Sequence, residues 1–148
     1  MRYLGLDLGT KTLGLSLSDV TGTIASTYKV IRFNENDFDI LLPQIKEIVL
    51  KEGVGELVLG LPKNMNNTIG DRALVTIEFK EKLENYLNMK VNLMDERLST
   101  VSAHNYMISA DMSRKKRKEK IDSLAANIIL QTYLDKRKDW KSYGKLWR

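Results

Sequence analysis

The sequence predicts an α/β fold, a mixed five-stranded sheet with helices on both faces. Three observations carry this expectation. The first thirty or so residues alternate apolar and polar positions over three short runs, the period of half-buried strands. Further on, apolar residues recur at helical spacing in several stretches, and two brief apolar runs separate them. A three-strand meander followed by β-α units produces antiparallel and parallel neighbours in one sheet.

Taken in order, Arg2–Leu8 places Leu4, Leu6 and Leu8 on one face and Tyr3, Gly5 and Asp7 on the other. Thr12–Ser18 alternates Leu13, Leu15 and Leu17 with Gly14, Ser16 and Ser18. The short link through Gly9 and Thr10 makes the pair a hairpin. Thr23–Arg32 is the third strand, after a turn at Thr21 and Gly22. Phe38, Leu41, Leu42, Ile45, Ile48 and Val49 mark a helix. Pro43 is tolerated only near a helix start, so the helix begins at about Asp39. Gly53 and Gly55 end it. Glu56–Leu61, "ELVLGL", suits a parallel strand covered on both faces. Val75, Phe79, Leu83 and Tyr86 mark a second helix, and Val91–Met94 a brief strand. Ser99–Ser109 reads as a third helix. A long basic helix runs from about Ser113 to Lys136, apolar at Ile121, Leu124, Ile128 and Ile129. In this arrangement strand 1 is central, antiparallel to strand 2, and strands 1, 4 and 5 run parallel.

The 148 residues suffice for one domain. A chain of this length buries about 70% of its unfolded surface and needs no covalent staples. The absence of cysteine excludes disulfides, thiolate metal sites and a cysteine nucleophile. No apolar run reaches membrane-spanning length and no export-like start is present, so a soluble cytoplasmic protein without membrane contact is expected. Charge is uneven. Residues 1–112 carry 12 Lys/Arg and 15 Asp/Glu, whereas residues 113–148 carry 12 and 4. Such clustering is the electrostatic footprint of a nucleic-acid binder, although a solvated helix face and tail have the same composition.

Asp7 interrupts an apolar strand at its carboxyl end, where sites gather in open α/β sheets. A buried carboxylate is costly unless it is paired or meets a cation. The alternative role for Asp7 is to cap a tight turn. "MDERLST", residues 94–100, brings Asp95, Glu96 and Arg97 to the same sheet edge, or forms a solvated turn and helix cap. Asp122 has Ala125 and Ala126 at i+3 and i+4. Those small residues let its helix face sit against the sheet, unless Asp122 merely pairs with Lys118. Carboxylates from three separate elements, in a chain without cysteine and with one histidine, make a hard oxygen donor set suited to Mg²⁺ or Mn²⁺. His104 falls at helical spacing and reads as structural. "GLPKNMNNTIGDRA", residues 60–73, links a strand to a helix. Gly70 and Asp71 open that helix, and Lys63 and Arg72 add charge for phosphate, but no P-loop is present.

The segments LGLDLGTKTLGLSLSD, VLGLPKNMNNTIGDRA, DERLST and DSLAANIILQTYL occur in the order of the YqgF/RuvX family, and the chain resembles that family over roughly residues 1–136. The resemblance implies a ribonuclease H-like fold related to the RuvC junction resolvases. It also implies a metal-dependent nuclease that matures the 5′ end of pre-16S rRNA. Holliday junction resolution is the alternative activity. The family's acids map onto Asp7, Glu96 and Asp122, as catalytic groups and as ligands of Mg²⁺ or Mn²⁺. Asp95, Lys11 and Arg97 are further candidates, and Asp95 competes with Glu96 as the ligand. Lys11 stands where the family usually has Arg, which keeps the charge but loses the bidentate fork. The strand beside strand 1 ends in Gly60-Leu61-Pro62, where the wider superfamily carries an acid.

The expected partner is nucleic acid, structured RNA or branched DNA. Arg114, Lys115, Lys116, Arg117 and Lys118, with Lys63 and Arg72, would contact it as a monomer or homodimer. Residues 137–148 form a basic extension. In it Trp140, Tyr143 and Trp147 either stack on bases or face one side of a helix. Two other classes share features with this chain. Actin-like and Hsp70-like kinases also open on a strand ending in Asp-x-Gly-Thr, but they need two such domains. A non-catalytic nucleic-acid-binding module would not need all three acids.

Overall fold

The computed structural model of the protein describes residues 1–62, 70–95 and 123–137. Strands β1 (Arg2–Leu8), β2 (Thr12–Ser18) and β3 (Ala25–Arg32) form the meander. A 3-10 turn at Phe38–Ile40 runs into helix α1 (Leu41–Glu52), followed by β4 (Val54–Leu61), α2 (Asp71–Leu87) and β5 (Val91–Asp95). Residues 123–137 are helical and are called α3. The sheet order is β3-β2-β1-β4-β5. β1 pairs antiparallel with β2 and parallel with β4, and β4 pairs parallel with β5. Strand 1 is therefore central, because a tight hairpin can join only antiparallel neighbours while each parallel neighbour needs a crossover.

Alternation along β1 divides the molecule into two layers. Leu4, Leu6 and Leu8 join Leu13, Leu15, Leu57 and Leu59 on one face, packed against Ile45, Ile48 and Val49 of α1 and Phe79 and Leu83 of α2. Tyr3 on the other face joins Val58 and Met94 against Ile129, Leu130, Tyr133 and Leu134 of α3. Helices thus cover both faces, as the continuous apolar run of β4 requires.

Several boundaries and faces differ from the sequence expectation. α1 starts at Leu41 because the residues before it coil as a tighter 3-10 turn, which leaves Pro43 at the third helical position. Gly53 closes α1 in the left-handed region (φ 66°), whereas Gly55 lies inside β4. α2 buries Ala73, Thr76, Phe79 and Leu83, while Val75 and Tyr86 are exposed. Small Ala73 and Thr76 approach the sheet closely. Thr76 spends its hydroxyl on the Arg72 carbonyl (2.9 Å), so its burial leaves that donor satisfied. α3 buries Ala125, Ala126, Ile129, Leu130, Tyr133 and Leu134, a stripe displaced from the expected one: of its described positions Leu124, Ile128 and Ile129, only Ile129 is fully buried, and Ile121 lies outside the described residues. The expected helix at Ser99–Ser109, His104, and the basic helix before residue 123 lie outside the described residues, as does the extension beyond Arg137.

The placement of α3 matters most for the site. A Cβ on Gly5 would lie 2.8 Å from Leu130 Cβ and 3.0 Å from the Ala126 carbonyl, so the missing side chain is what lets α3 touch β1. Tyr133, further along α3, meets Tyr3 at the other end of β1, with ring centroids 6.0 Å apart. α3 therefore runs antiparallel to β1, and its first residues lie toward Asp7. Polar bonds fix the register. Gln131 accepts from Ala25 N–H (2.8 Å) and donates to the Thr23 carbonyl (3.0 Å). Ser16 Oγ lies 2.8 Å from the Asn127 amide and 2.9 Å from the Ser26 carbonyl. The far end is held by Arg137, stacked 5.0 Å over Tyr3 and 3.6 Å from Glu56. Burial raises the phenol pKa values of Tyr3 and Tyr133 above the ordinary value, so both stay neutral inside this layer.

Candidate active site

Asp7 is the half-buried penultimate residue of β1, on the α3 face of the central strand. Its antiparallel partner is Gly14. Its parallel neighbour is Gly60, one step beyond the Leu6–Leu59 pair. Along its own strand the residues sharing its face are Gly5 and Gly9. Every sheet position next to Asp7 on this face is thus a glycine. The carboxylate stands beside glycines in the sheet, at the strand ends where ligands enter α/β sheets. Glycine at these positions lets another group come close to the backbone. Gly9 serves the hairpin, as its place in the link predicts. The place of its Cβ is filled by the carbonyl and hydroxyl of Thr12, both 3.1 Å away, and its N–H closes the hairpin on Thr12 (2.8 Å).

Asp95 ends β5, two strands from β1, where Leu61 pairs with it. Two strand spacings amount to about 10 Å. Alternation puts Asp95 with Val91 and Leu93, which belong to the α1/α2 layer, whereas Met94 belongs to the α3 layer with Asp7's neighbours. Asp95 and Asp7 thus occupy opposite faces of the sheet. Glu96, next in the chain, lies outside the described residues, as do Arg97 and Asp122. Asp122 directly precedes Ser123, where the description of α3 begins at the Asp7 end. Among the described residues no three acidic or histidine side chains gather closely enough to hold a metal ion.

Lys11 is exposed at the tip of the β1–β2 hairpin, and its carbonyl accepts from Phe33 N–H (2.9 Å). Arg72 opens α2 and donates from Nη2 to the Leu8 carbonyl at 2.8 Å, which ties the start of α2 to the strand end carrying Asp7. Lys63, Arg114, Lys115, Lys116, Arg117 and Lys118 lie outside the described residues. Sequence reasoning missed the glycines beside Asp7 as a set, because Gly14 and Gly60 become its neighbours only through strand register. It also missed Asn127 and Gln131, whose signal was available: two amides on the sheet-facing side of an otherwise apolar stripe.

The family model described as "RuvX: Holliday junction resolvase" matches residues 1–136. A Bacillus pumilus protein named "Putative pre-16S rRNA nuclease" is 51% identical over 135 residues, covering 91% of this chain and 98% of the relative. A Staphylococcus aureus protein of the same name is 45% identical, covering 90% of this chain and 95% of the relative. Among solved structures, Thermus thermophilus RuvC in complex with a Holliday junction superposes with a TM-score of 0.60 at 14% identity, covering 93% of this chain and 96% of that one. The fold is accordingly the ribonuclease H-like fold of RuvC, and the chain belongs to the RuvX family.

Proposed function

We propose that the chain is a nuclease that hydrolyses phosphodiester bonds with the help of a divalent cation, and that its substrate is the 5′ end of pre-16S rRNA. The observation that carries this reading is the position of Asp7, a half-buried carboxylate at the carboxyl end of the central strand, paired with Gly14 in the sheet. Close relatives of nearly the same length bear the corresponding name, which supports the choice of RNA. The donor set fits a hard cation, since the chain offers oxygen ligands and no thiolate. Asp7, Glu96 and Asp122 are proposed to hold Mg²⁺ or Mn²⁺. Glu96 is preferred to Asp95 because strand alternation sets Asp95 on the opposite face from Asp7. Such an ion, when bound, lowers the pKa of a water and offsets charge on the phosphate.

The protein's own groups supply the rest. The glycines beside Asp7 in the sheet add no side-chain bulk next to the carboxylate that would meet the scissile phosphate. Lys11 at the hairpin tip and Arg72 beside Leu8 attract the polyanion, together with Lys63, Arg97 and residues 114–118. Water adds to phosphorus as the bond to the leaving oxygen breaks, and the site orients both. The domain is taken as residues 1–136 with 137–148 as a basic aromatic extension, although α3 itself runs on to Arg137. Among the described residues no helix is long and apolar enough to cross a membrane. A cytoplasmic place follows from the proposed rRNA substrate.

The test is incubation of labelled pre-16S rRNA and a four-way DNA junction with the protein in Mg²⁺, Mn²⁺ or EDTA. Cleavage of the RNA with either ion and none in EDTA is expected. Asp7→Asn is expected to abolish cleavage while retaining RNA affinity, and to lose the rise in melting temperature that Mn²⁺ gives the wild type. Preferential cutting of the junction would transfer the assignment to resolvase activity. Wild-type cleavage by Asp7→Asn would overturn it.

A further inference from the structure

Across the hairpin tip from Asp7, on the α1/α2 side of the sheet, lies a partly open cavity of about 180 Å³. Its apolar walls are Leu8, Phe38 and Val75, and its polar rim includes Thr10, Asn36, Asp71 and Arg72. None of these belongs to the carboxylate set. The size is informative, since an apolar cavity of about 150 Å³ accepts one benzene ring. One planar ring system fits here, and a dinucleotide does not. The Phe38 ring is held edge-on by Phe33 and Phe79, with centroids 5.7 and 6.3 Å away, so it offers a fixed aromatic wall. Asn36 sits at a positive φ of 65° in the turn before Phe38, which sets its amide at the rim. An amide carries both donors and an acceptor, suited to the edge of a heterocycle. Arg72 is anchored on the Leu8 carbonyl (2.8 Å) and Lys11 is exposed on the adjoining tip, so two cations stand near the mouth beside the one carboxylate of its lining, Asp71.

We propose that this cavity is a nucleobase pocket. It takes one unstacked base of the nucleic-acid strand, whose neighbouring phosphates meet Lys11 and Arg72. The inference rests on the nuclease reading above and deepens it. Gly9 on the cavity wall is two residues from Asp7 in the chain, but the cavity opens on the α1/α2 side of the sheet and the Asp7 carboxylate lies on the α3 side. A base seated in the cavity therefore belongs to a nucleotide whose strand passes around the strand ends from the phosphate at Asp7. Unstacked bases held against aromatic side chains and read along their edges are the general mode of single-strand recognition.

The test is an equilibrium titration of the full chain, in EDTA, with short single-stranded RNAs. One is intact and the others carry a single abasic residue stepped along the strand. DNA of the same sequence forms a second arm. Wild-type protein is expected to lose about five- to tenfold in affinity when the abasic residue occupies one or two fixed positions. Val75→Tyr fills the cavity from an exposed helix position and so leaves the core untouched. It is expected to bind intact RNA with a similar loss and to show a flat abasic profile. Asn36→Gly keeps the positive φ while removing the amide, and is expected to change which base is preferred at that position. The same positional effect in DNA assigns the pocket to the base alone. An effect confined to RNA assigns it to a ribonucleotide. A flat wild-type profile, or a Val75→Tyr profile equal to wild type, would overturn the pocket. The titration needs no cleavage. A flat scan in a protein that cuts RNA removes the pocket alone, and a position-dependent scan in one that never cuts removes the nuclease reading alone.

Discussion

Gly5 shows how much of the site depends on an atom that is not there. Any Cβ at this position meets α3 at 2.8 Å, so Gly5→Ala must push the helix outward or twist Leu130 from its rotamer. Overpacking of this kind costs about 1–3 kcal/mol. Gly5→Ala is expected to lower the melting temperature and to lower cleavage more than a purely destabilised variant of equal stability does, because α3 leads to Asp122. Asp19 gives a second residue-scale expectation. Its carboxylate accepts from the N–H groups of Ile24 and Thr23, at 3.0 and 2.8 Å, and from the Thr21 hydroxyl. The Ile24 N–H, then the Thr21 hydroxyl and the Thr23 N–H, hold its pKa well below the ordinary carboxylate value of 3.8. A depressed folded pKa stabilises above the unfolded pKa and is lost as pH falls through the folded one. Unfolding midpoints measured from pH 5 downward are expected to fall less steeply in Asp19→Asn than in wild type below about pH 4. Asp7 itself was legible in the sequence, as an acid on one side of a Leu-x-Leu-x-Leu strand. The glycines beside it in the sheet were not, because Gly14 and Gly60 are brought to it only by strand pairing.

At the scale of the element, α3 is held to the sheet by polar as well as apolar contacts. Removing a partner from a buried polar pair costs about 1–3 kcal/mol through the group left behind. Gln131→Ala strands Ala25 N–H and the Thr23 carbonyl, whereas Asn127→Ala removes one of two partners of the buried Ser16 hydroxyl and leaves it the Ser26 carbonyl. By denaturant titration the first is expected within that range and the second at or below its lower end. Gln131→Glu is expected to recover little, since a carboxylate accepts from Ala25 but cannot donate to Thr23. The helices were legible as helices, and their inward faces less so. In α2 the expected stripe followed the large residues Val75, Phe79, Leu83 and Tyr86. The sheet selected Ala73 and Thr76 instead, where small volume permits close packing. In α3 the Ala125-Ala126 pair beside Asp122 pointed inward as its size suggested. The strands fared better because a period of two leaves only two phases, and the leucines chose one.

For the whole molecule, charge and topology divide the labour. The described sheet and its layers place Asp7, while most of the excess positive charge lies in residues 113–148. Neutralising Arg114, Lys115, Arg117 and Lys118 is expected to flatten the fall of RNA affinity with salt, because fewer counterions are released, while leaving the melting temperature nearly unchanged. An unchanged slope would make that segment a solvated surface. The sheet order was legible because hairpins and crossovers admit few alternatives. The division of acids between faces became visible only when β5 was paired residue by residue with β4. The antiparallel seating of α3 on β1 also bears on how the protein is made. The central strand leaves the ribosome before α3, yet its Tyr3-Gly5 face is roofed by residues 126–134, which are synthesised much later. Until then Tyr3, Val58 and Met94 lack their cover, and the nascent chain presents an oily sheet face that invites chaperones. On the proposed assignment the last acid arrives with that same roof. An enzyme that cuts ribosomal RNA would then be born on a ribosome without the means to damage it, and would become active only as its final helix closes.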